Sequence, residues 1–133
     1  MTKPLVFALS VLVGGILCAD ELHEPMEKVG KAAGALRKAI PAGDMKVVSE
    51  NAGILAEVLP TTVSFWEHKN MSDAVGWTKE GAQHAADLKK AADANDADGV
   101  RAAMSKLGGT CKSCHTAHRE EIPDTNPKKY KVK

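Results

Sequence analysis

The sequence predicts an all-α protein, an antiparallel four-helix bundle. Apolar residues after residue 20 recur at alternating spacings of three and four, which is typical of helices packed in a bundle. No segment alternates between apolar and polar residues in the manner of a half-buried strand. Short connections containing Pro, Gly and Asp divide the chain into four helical segments, and short connections favour antiparallel neighbours.

The first two helical segments are predicted at about Leu22–Ile40 and Asp44–Leu59. Pro25 is tolerated only in a first turn, so the first helix should begin close to it. Pro41-Ala42-Gly43 should end that helix, and Asp44 can cap the next one. The predicted apolar seam of the first segment is Leu22, Met26, Val29, Ala33, Leu36 and Ile40. The predicted inner face of the second is Val47, Asn51, Ile54, Leu55 and Val58.

The last two helical segments are predicted at about Asp73–Ala94 and Asp98–Glu120. Pro60 ends the second segment, and residues 61–72 form a connection whose Phe65 and Trp66 we expect to close one end of the bundle. Ser72 or Asp73 can cap the third segment. Its predicted inner face is Ala74, Trp77, Gly81, Ala85, Leu88 and Ala92. The corresponding residues of the fourth are Val100, Met104, Leu107, Cys111, Cys114 and His118.

The fourth segment contains Cys111-Lys112-Ser113-Cys114-His115, the C-x-x-C-H pattern that attaches a c-type haem. Cys111 and Cys114 lie one helical turn apart on the same side of the backbone, so each thiol can form a thioether with one haem vinyl group. His115 is then the proximal iron ligand. The motif occurs once and predicts a single covalent haem c enclosed by the bundle.

A structural zinc site is the alternative interpretation of the same residues. Cys111, Cys114, His115 and His118 form a compact Cys2His2 set. The usual zinc pattern places its second ligand pair further along the chain, and four ligands within one short helical stretch fit a tetrahedron poorly. A zinc-stapled helical interaction module therefore stays open as an alternative.

Residues 1–19 are predicted to be a cleaved secretory signal peptide. Lys3 supplies the positive start, residues 5–17 form an apolar run, and cleavage is expected after Ala19. The run is too short to favour a membrane span. Lipidation at Cys18 and an uncleaved anchor are the alternatives, although Leu17 fits a lipidation signal poorly. The expected mature chain is residues 20–133, one exported domain in the periplasm.

Export also bears on the two remaining cysteines, because bare vicinal thiols tend to oxidise in such a compartment and thioether attachment removes that liability.

Loss of the leader lowers the number of basic residues from 18 to 17, equal to the 17 acidic residues. A net charge near zero predicts neither a nucleic-acid partner nor binding to an anionic membrane. The short basic tail at residues 128–133 is expected to be solvated and frayed. No acid–base constellation is present, so we predict no catalytic residues and no enzyme activity.

With four helices and C-x-x-C-H on the last one, the chain resembles the class II cytochromes c, the cytochrome c-prime family. The resemblance implies an exported four-helix bundle with one covalent haem. It also implies a basic residue four positions after the haem histidine. Arg119 occupies that position and is expected either to contact a haem propionate or to face solvent. His118 stands where family members often carry an aromatic residue. The family contains monomers and dimers built on the first two helices, so a homodimer is one open option.

Glu24-Pro25-Met26-Glu27-Lys28-Val29-Gly30 is similar to the low-spin members of that family, which place a methionine on the distal side of the iron. The resemblance implies that Met26 is the sixth ligand, and His/Met ligation raises the reduction potential. Core packing is the alternative role of Met26, and His23 is an alternative ligand. The predicted function is single-electron transfer with unidentified redox partners. The alternative is an open or displaceable site that binds nitric oxide or carbon monoxide.

Overall fold

The structure is a computed structural model, and it describes residues 19–133. The predicted signal peptide therefore lies outside the described residues, except for Ala19. A 3-10 turn at Ala19–Leu22 precedes the first helix. The helices are α1 (His23–Ala42), α2 (Met45–Thr61), α3 (Val63–His68), α4 (Ser72–Asp93) and α5 (Ala97–His118), and the strands are β1 (Arg119–Ile122) and β2 (Lys129–Val132).

The four long helices form the predicted antiparallel bundle, so the predicted fold class is confirmed. Helix α1 packs against α2, α2 against α4, and α4 against α5, whereas the packing between α1 and α5 is thinner. Each connection reverses the chain direction. The beginning of α1, the short helix α3, the beginning of α4 and the end of α5 therefore lie at the same end of the bundle.

Local chemistry explains where α1 and α2 meet. Gly43 adopts a left-handed conformation with φ of 69°, and its N–H donates to the carbonyls of Ala39 and Ile40. Glycine accepts this conformation without the steric cost that a Cβ atom brings. The Asp44 carboxylate accepts a hydrogen bond of 3.2 Å from the Val47 N–H, which confirms the predicted cap.

Three predicted helix ends before α5 were inaccurate. Pro41 and Pro60 lie inside the last turns of α1 and α2, and each helix continues past its proline. Each proline removes one backbone hydrogen bond from the last turn, and only one residue follows it before the helix ends. The N-cap position of α4 is Met71, and neither Ser72 nor Asp73 occupies it. Asp73 lies in the first turn instead, where its carboxylate accepts a 2.7 Å hydrogen bond from the Ala74 N–H.

The main hydrophobic cluster runs along the bundle axis and draws on all four long helices. Small residues contribute much of it, because buried alanines on all four long helices let the backbones approach closely. At Gly81 a Cβ atom would meet the Leu59 side chain at 3.4 Å, so α2 and α4 are in tight contact there. The largest fully buried apolar side chains of the cluster are Leu36, Leu55, Leu88, Leu107, Val48 and Val100.

The predicted inner face of α2 was displaced by about one residue. Its buried residues are Val48, Ala52, Leu55 and Leu59. Ile54, which was predicted to face inward, has 41% of its surface exposed. Apolar residues stand next to one another along this helix, so periodicity alone supports two rotations about 100° apart. Packing against α4 selects one of them. Similar shifts occur at Trp77 and Met104, which are partly buried, whereas Thr78 and Ala103 are buried.

A second hydrophobic cluster closes the end of the bundle near α3. Its buried residues are Leu22, Trp66 and Ala74. Trp66 is 3% exposed, so its predicted place at one end of the bundle is confirmed. Partly buried residues surround the cluster, among them Met26, Phe65, Met71, Val75, Cys114 and Val132.

The C-terminal segment forms a two-stranded antiparallel hairpin that the sequence analysis did not predict. Arg119 pairs with Val132, and Ile122 pairs with Lys129. The fourth helix therefore ends at His118 and not at Glu120. Residues 128–133 were expected to be frayed, but β2 is held by the ladder and by the Lys133 N–H, which donates to the His118 carbonyl at 3.0 Å. The charged side chains stay exposed, so hydropathy gave no indication of this strand.

The two candidate faces of α2 predict different mutational effects. We expect Leu55→Ala to lower the free energy of unfolding by about 2–5 kcal/mol, because it leaves a cavity in the main cluster. The neighbouring Ile54→Ala should change it by no more than about 0.5 kcal/mol, because that side chain is largely on the surface. Urea unfolding followed by circular dichroism measures both. Equal losses would mean that α2 is rotated from the orientation described here.

Candidate haem-attachment site

The C-x-x-C-H residues lie in the last two turns of α5. Cys111 and Cys114 are both free thiols and both partly buried. Cys111 packs against the main hydrophobic cluster and Cys114 against the second one. The helical seam therefore directs both sulfur atoms toward the interior of the bundle, as the sequence spacing predicted. His115 follows on the same helix and is also partly buried.

Met26 lies at the same level of the bundle as the two cysteines. Its partly buried side chain packs against both hydrophobic clusters, the same two that Cys111 and Cys114 contact. Since α1 and α5 run antiparallel, a residue in the first turns of α1 comes opposite the last turns of α5. The alternative ligand His23 is exposed, and its imidazole lies 3.7 Å from the Glu27 carboxylate on the surface of α1.

Burial controls the protonation of the two thiols. Desolvation raises the pKa of Cys111, although the charge of Arg37 on α1 partly opposes it. Desolvation, with smaller contributions from Cys111 and Asp73, raises the pKa of Cys114 to about 11. Burial among apolar side chains therefore favours the neutral thiol over the thiolate at both positions.

The imidazole of His115 is held in its neutral form. Desolvation lowers its pKa, and the nearby charge of Arg119 lowers it further. Neutral imidazole is the form that binds iron, because the ring nitrogen must offer a lone pair. The backbone also connects these two residues, since the Arg119 N–H donates to the His115 carbonyl at the end of α5.

His118 connects α5 to the beginning of α4. Its Nε2 donates to both carboxylate oxygens of Asp73, at 3.0 and 2.9 Å. Its ring also lies 5.5 Å from that of Trp66 and 6.1 Å from that of Trp77, measured between centroids. Desolvation alone would raise the pKa of Asp73, but the Ala74 N–H and His118 outweigh it and lower that pKa. His118 thus fills an aromatic site and is tied down by a carboxylate.

The alternative zinc set is not assembled. Within residues 19–133, no three His, Cys, Asp or Glu side chains come together in a group that could hold a metal ion. His118, the proposed fourth zinc ligand, bonds to Asp73 instead.

The features around the motif fit a prosthetic group that is apolar at its centre and carries carboxylates at its edge. Two interior thiols and a neutral imidazole on one face provide the donor set of a covalently attached haem. The buried indole Nε1 of Trp66 lacks a hydrogen-bond partner among the described residues, so the second cluster contains a donor that an acceptor group could satisfy. The thin packing between α1 and α5 lies on the side where these groups face each other.

Arg119 does not lie on α5, because the helix has ended and this residue begins β1. Its guanidinium carbon lies 4.1 Å from the centroid of the Tyr130 ring, in a cation–π contact. The side chain is exposed. The expected propionate contact of Arg119 stays a prediction.

Three residues near the motif were not predicted from the sequence to belong to the site. Trp66 was expected only to close the bundle, Asp73 only to cap a helix, and Arg37 was not considered. Arg37 follows Met26 by about three helical turns, so it lies on nearly the same face of α1 and could have been found from the helical period. The Asp73–His118 contact joins residues that are far apart in sequence, and only the packing of α4 on α5 brings them together.

Comparison with known proteins agrees with this fold and site. The sequence model of the family described as Cytochrome C' matches residues 61–119, which include the C-x-x-C-H motif. A cytochrome c' from Pararhodospirillum photometricum is 33% identical over 113 residues, covering 85% of this chain and 82% of that protein. A cytochrome c' from Alcaligenes xylosoxydans xylosoxydans is 50% identical over 34 residues, which are 26% of this chain and 27% of that protein.

The chain belongs to the cytochrome c' family. It is therefore a c-type cytochrome that acts in electron transfer or ligand binding, and its cofactor is covalent haem c. Within residues 19–133 no helix is long and apolar enough to cross a membrane.

The Asp73–His118 contact predicts a pH-dependent effect of Asp73→Asn. Because the pKa of Asp73 is lowered below its ordinary value of 3.8, its ionised form stabilises the folded state above that pH. The contribution is lost as the pH falls through the lower folded-state pKa. We expect Asp73→Asn to lower the urea midpoint at pH 6 and to converge with the unmodified protein in acid.

Asp87→Asn is the matched control for this comparison. Asp87 is an exposed residue of the same helix whose carboxylate accepts a hydrogen bond only from the Gln83 side chain, at 3.0 Å. It should change the urea midpoint much less than Asp73→Asn. A difference between Asp73→Asn and the unmodified protein that persists unchanged to low pH would contradict the ionic origin of the effect.

Proposed function

We propose that this cytochrome carries single electrons through a haem whose iron is held by His115 and Met26. Cys111 and Cys114 would hold the macrocycle through thioether bonds. The observation that carries the proposal is the position of Met26, which contacts the same two hydrophobic clusters as the two cysteines and lies at their level of the bundle. The haem would supply an iron that cycles between the ferrous and ferric states.

The residues of the chain favour electron transfer over bond-making chemistry. His115 is kept neutral and therefore ready to coordinate, and its position on a rigid helix limits its movement. With both His115 and Met26 as ligands, the iron would keep the same coordination in both oxidation states. The apolar residues of the two clusters pack against the site residues, and apolar surroundings together with a thioether ligand favour a high reduction potential.

The second candidate function is the binding of nitric oxide or carbon monoxide. One observation favours it: Met26 is only partly buried and packs among apolar side chains. A thioether ligand held in this way would be displaceable. The choice between the two functions therefore depends on how firmly Met26 binds iron, while both use the same haem attachment.

The location and the partners of the protein follow from the same proposal. We propose export to the periplasm, where c-type haem attachment is compatible with the oxidising surroundings of Cys111 and Cys114. The redox partners are proteins of unidentified kind. Self-association through α1 and α2 is an additional option, since Ile54 on α2 presents an exposed apolar side chain.

An optical spectrum of the haem-loaded protein tests the choice between the two functions. The oxidised and reduced forms are measured with and without carbon monoxide, after expression in a host that matures c-type cytochromes. A low-spin spectrum that the gas leaves unchanged supports ligation by Met26 and electron transfer. A high-spin spectrum that shifts on addition of the gas contradicts ligation and supports gas binding.

Met26→Ala should convert a low-spin haem into a high-spin one that binds carbon monoxide, because it removes the thioether and leaves one axial position open. Met104→Ala is the matched control, since Met104 is also a partly buried methionine packed against the main cluster. The control should lose stability without a change of spin state. If both variants keep the original low-spin spectrum, Met26 is not the ligand.

Cys111→Ala combined with Cys114→Ala should abolish covalent attachment, so that haem is extracted by acidified organic solvent. We also expect a lower unfolding temperature, because the small aromatic-poor core would lose its largest apolar group. Ser113→Ala is the control within the motif, because its hydroxyl bonds only to the Gly109 carbonyl, at 3.0 Å. Haem that stays bound to the double variant after extraction would overturn the assignment of the two cysteines.

A further inference from the structure

The C-terminal hairpin begins where the match to the family ends. The matched region stops at residue 119, and Arg119 is also the first residue of β1. The haem motif and the hairpin are therefore continuous in the chain, with only three residues between His115 and Arg119.

The hairpin is fixed to the haem-binding end of the bundle at two points. The Val132 side chain packs against the second hydrophobic cluster, which Met26 and Cys114 also contact. The Lys133 N–H donates to the carbonyl of His118, one turn after Cys114, at 3.0 Å. Both contacts involve the C-terminal end of β2, so this end of the strand lies against the end of α5.

The ladder register places Tyr130 against Arg119. Arg119 pairs with Val132 and Glu121 pairs with Tyr130, so Arg119 and Tyr130 are diagonal neighbours on one face of the hairpin. This explains the cation–π contact of 4.1 Å. On the other face, Lys131 forms an ion pair of 3.4 Å with Glu120, directly opposite in the ladder. The two faces can therefore be altered independently.

We infer that the hairpin is a strap that holds the positive charge of Arg119 close to the iron-binding turn, with Tyr130 as the positioning residue. The inference rests on the proposed coordination of iron by His115. A fixed positive charge near the iron favours the ferrous state over the ferric one, so it raises the reduction potential. Without the ring of Tyr130, the exposed Arg119 side chain is free to turn toward water, where its charge is screened.

The test is the reduction potential of the haem-loaded protein in a set of variants. Tyr130→Ala should lower the potential, whereas Tyr130→Phe should leave it unchanged because the contact uses the ring and not the hydroxyl. Arg119→Gln should also lower it, and Tyr130→Ala should add nothing to Arg119→Gln. Lys131→Ala is the control for the opposite face and should lower the potential less than Arg119→Gln, since its charge lies further along the strand.

Hydrogen exchange of residues 119–133, measured by mass spectrometry, separates positioning from simple stabilisation of the hairpin. Equal potentials in Tyr130→Ala and the unmodified protein would overturn the inference, whether or not exchange increases. So would a shift in Tyr130→Phe as large as in Tyr130→Ala, or additive shifts in the double variant. A high-spin spectrum would contradict ligation by Met26 and leave this comparison valid, because Arg119 acts on the His115 side of the iron.

Discussion

The structure depends on one face of α5, which must both pack into the core of the bundle and direct the two cysteines inward. The seam that packs this helix into the bundle continues directly into the C-x-x-C-H motif, so Leu107, Cys111 and Cys114 point toward the same interior. Burial raises the pKa of both thiols and lowers the pKa of the His115 imidazole. The packing of α5 also determines which residues of α1 lie opposite the motif. A bundle with α5 turned to another rotation would lose both the packing of Leu107 and the inward direction of the two cysteines.

The function of this member of the cytochrome c' family depends on α1, which faces the motif. Electron transfer and gas binding would use the same covalent haem, and under the proposed coordination they would differ in whether Met26 binds the iron. The Met26 side chain is only partly buried.

Much of the fold could be predicted because apolar residues in bundle-forming helices recur with the helical period, which is visible in the sequence. The four segments, the Asp44 cap and the inward direction of Cys111 and Cys114 followed from spacings of three and four residues. The rotation of α2 did not, because Ile54 and Leu55 are equally apolar and only the fit against α4 separates them. The hairpin was missed for a related reason. Its strands are largely charged, and pairing between Glu120 and Lys131 is visible only after the chain has reversed.

For the candidate site, the local spacing of Cys111, Cys114 and His115 by itself determined the cofactor chemistry, because one helical turn is a property of the backbone. Contacts between distant segments were decided by the tertiary structure alone. The Asp73–His118 hydrogen bonds, the burial of Trp66 among Met26 and Cys114, and the placement of Tyr130 over Arg119 each require two elements to pack in one relative orientation. Packing of many small side chains along the whole bundle sets that orientation, so it cannot be read from any short stretch of sequence.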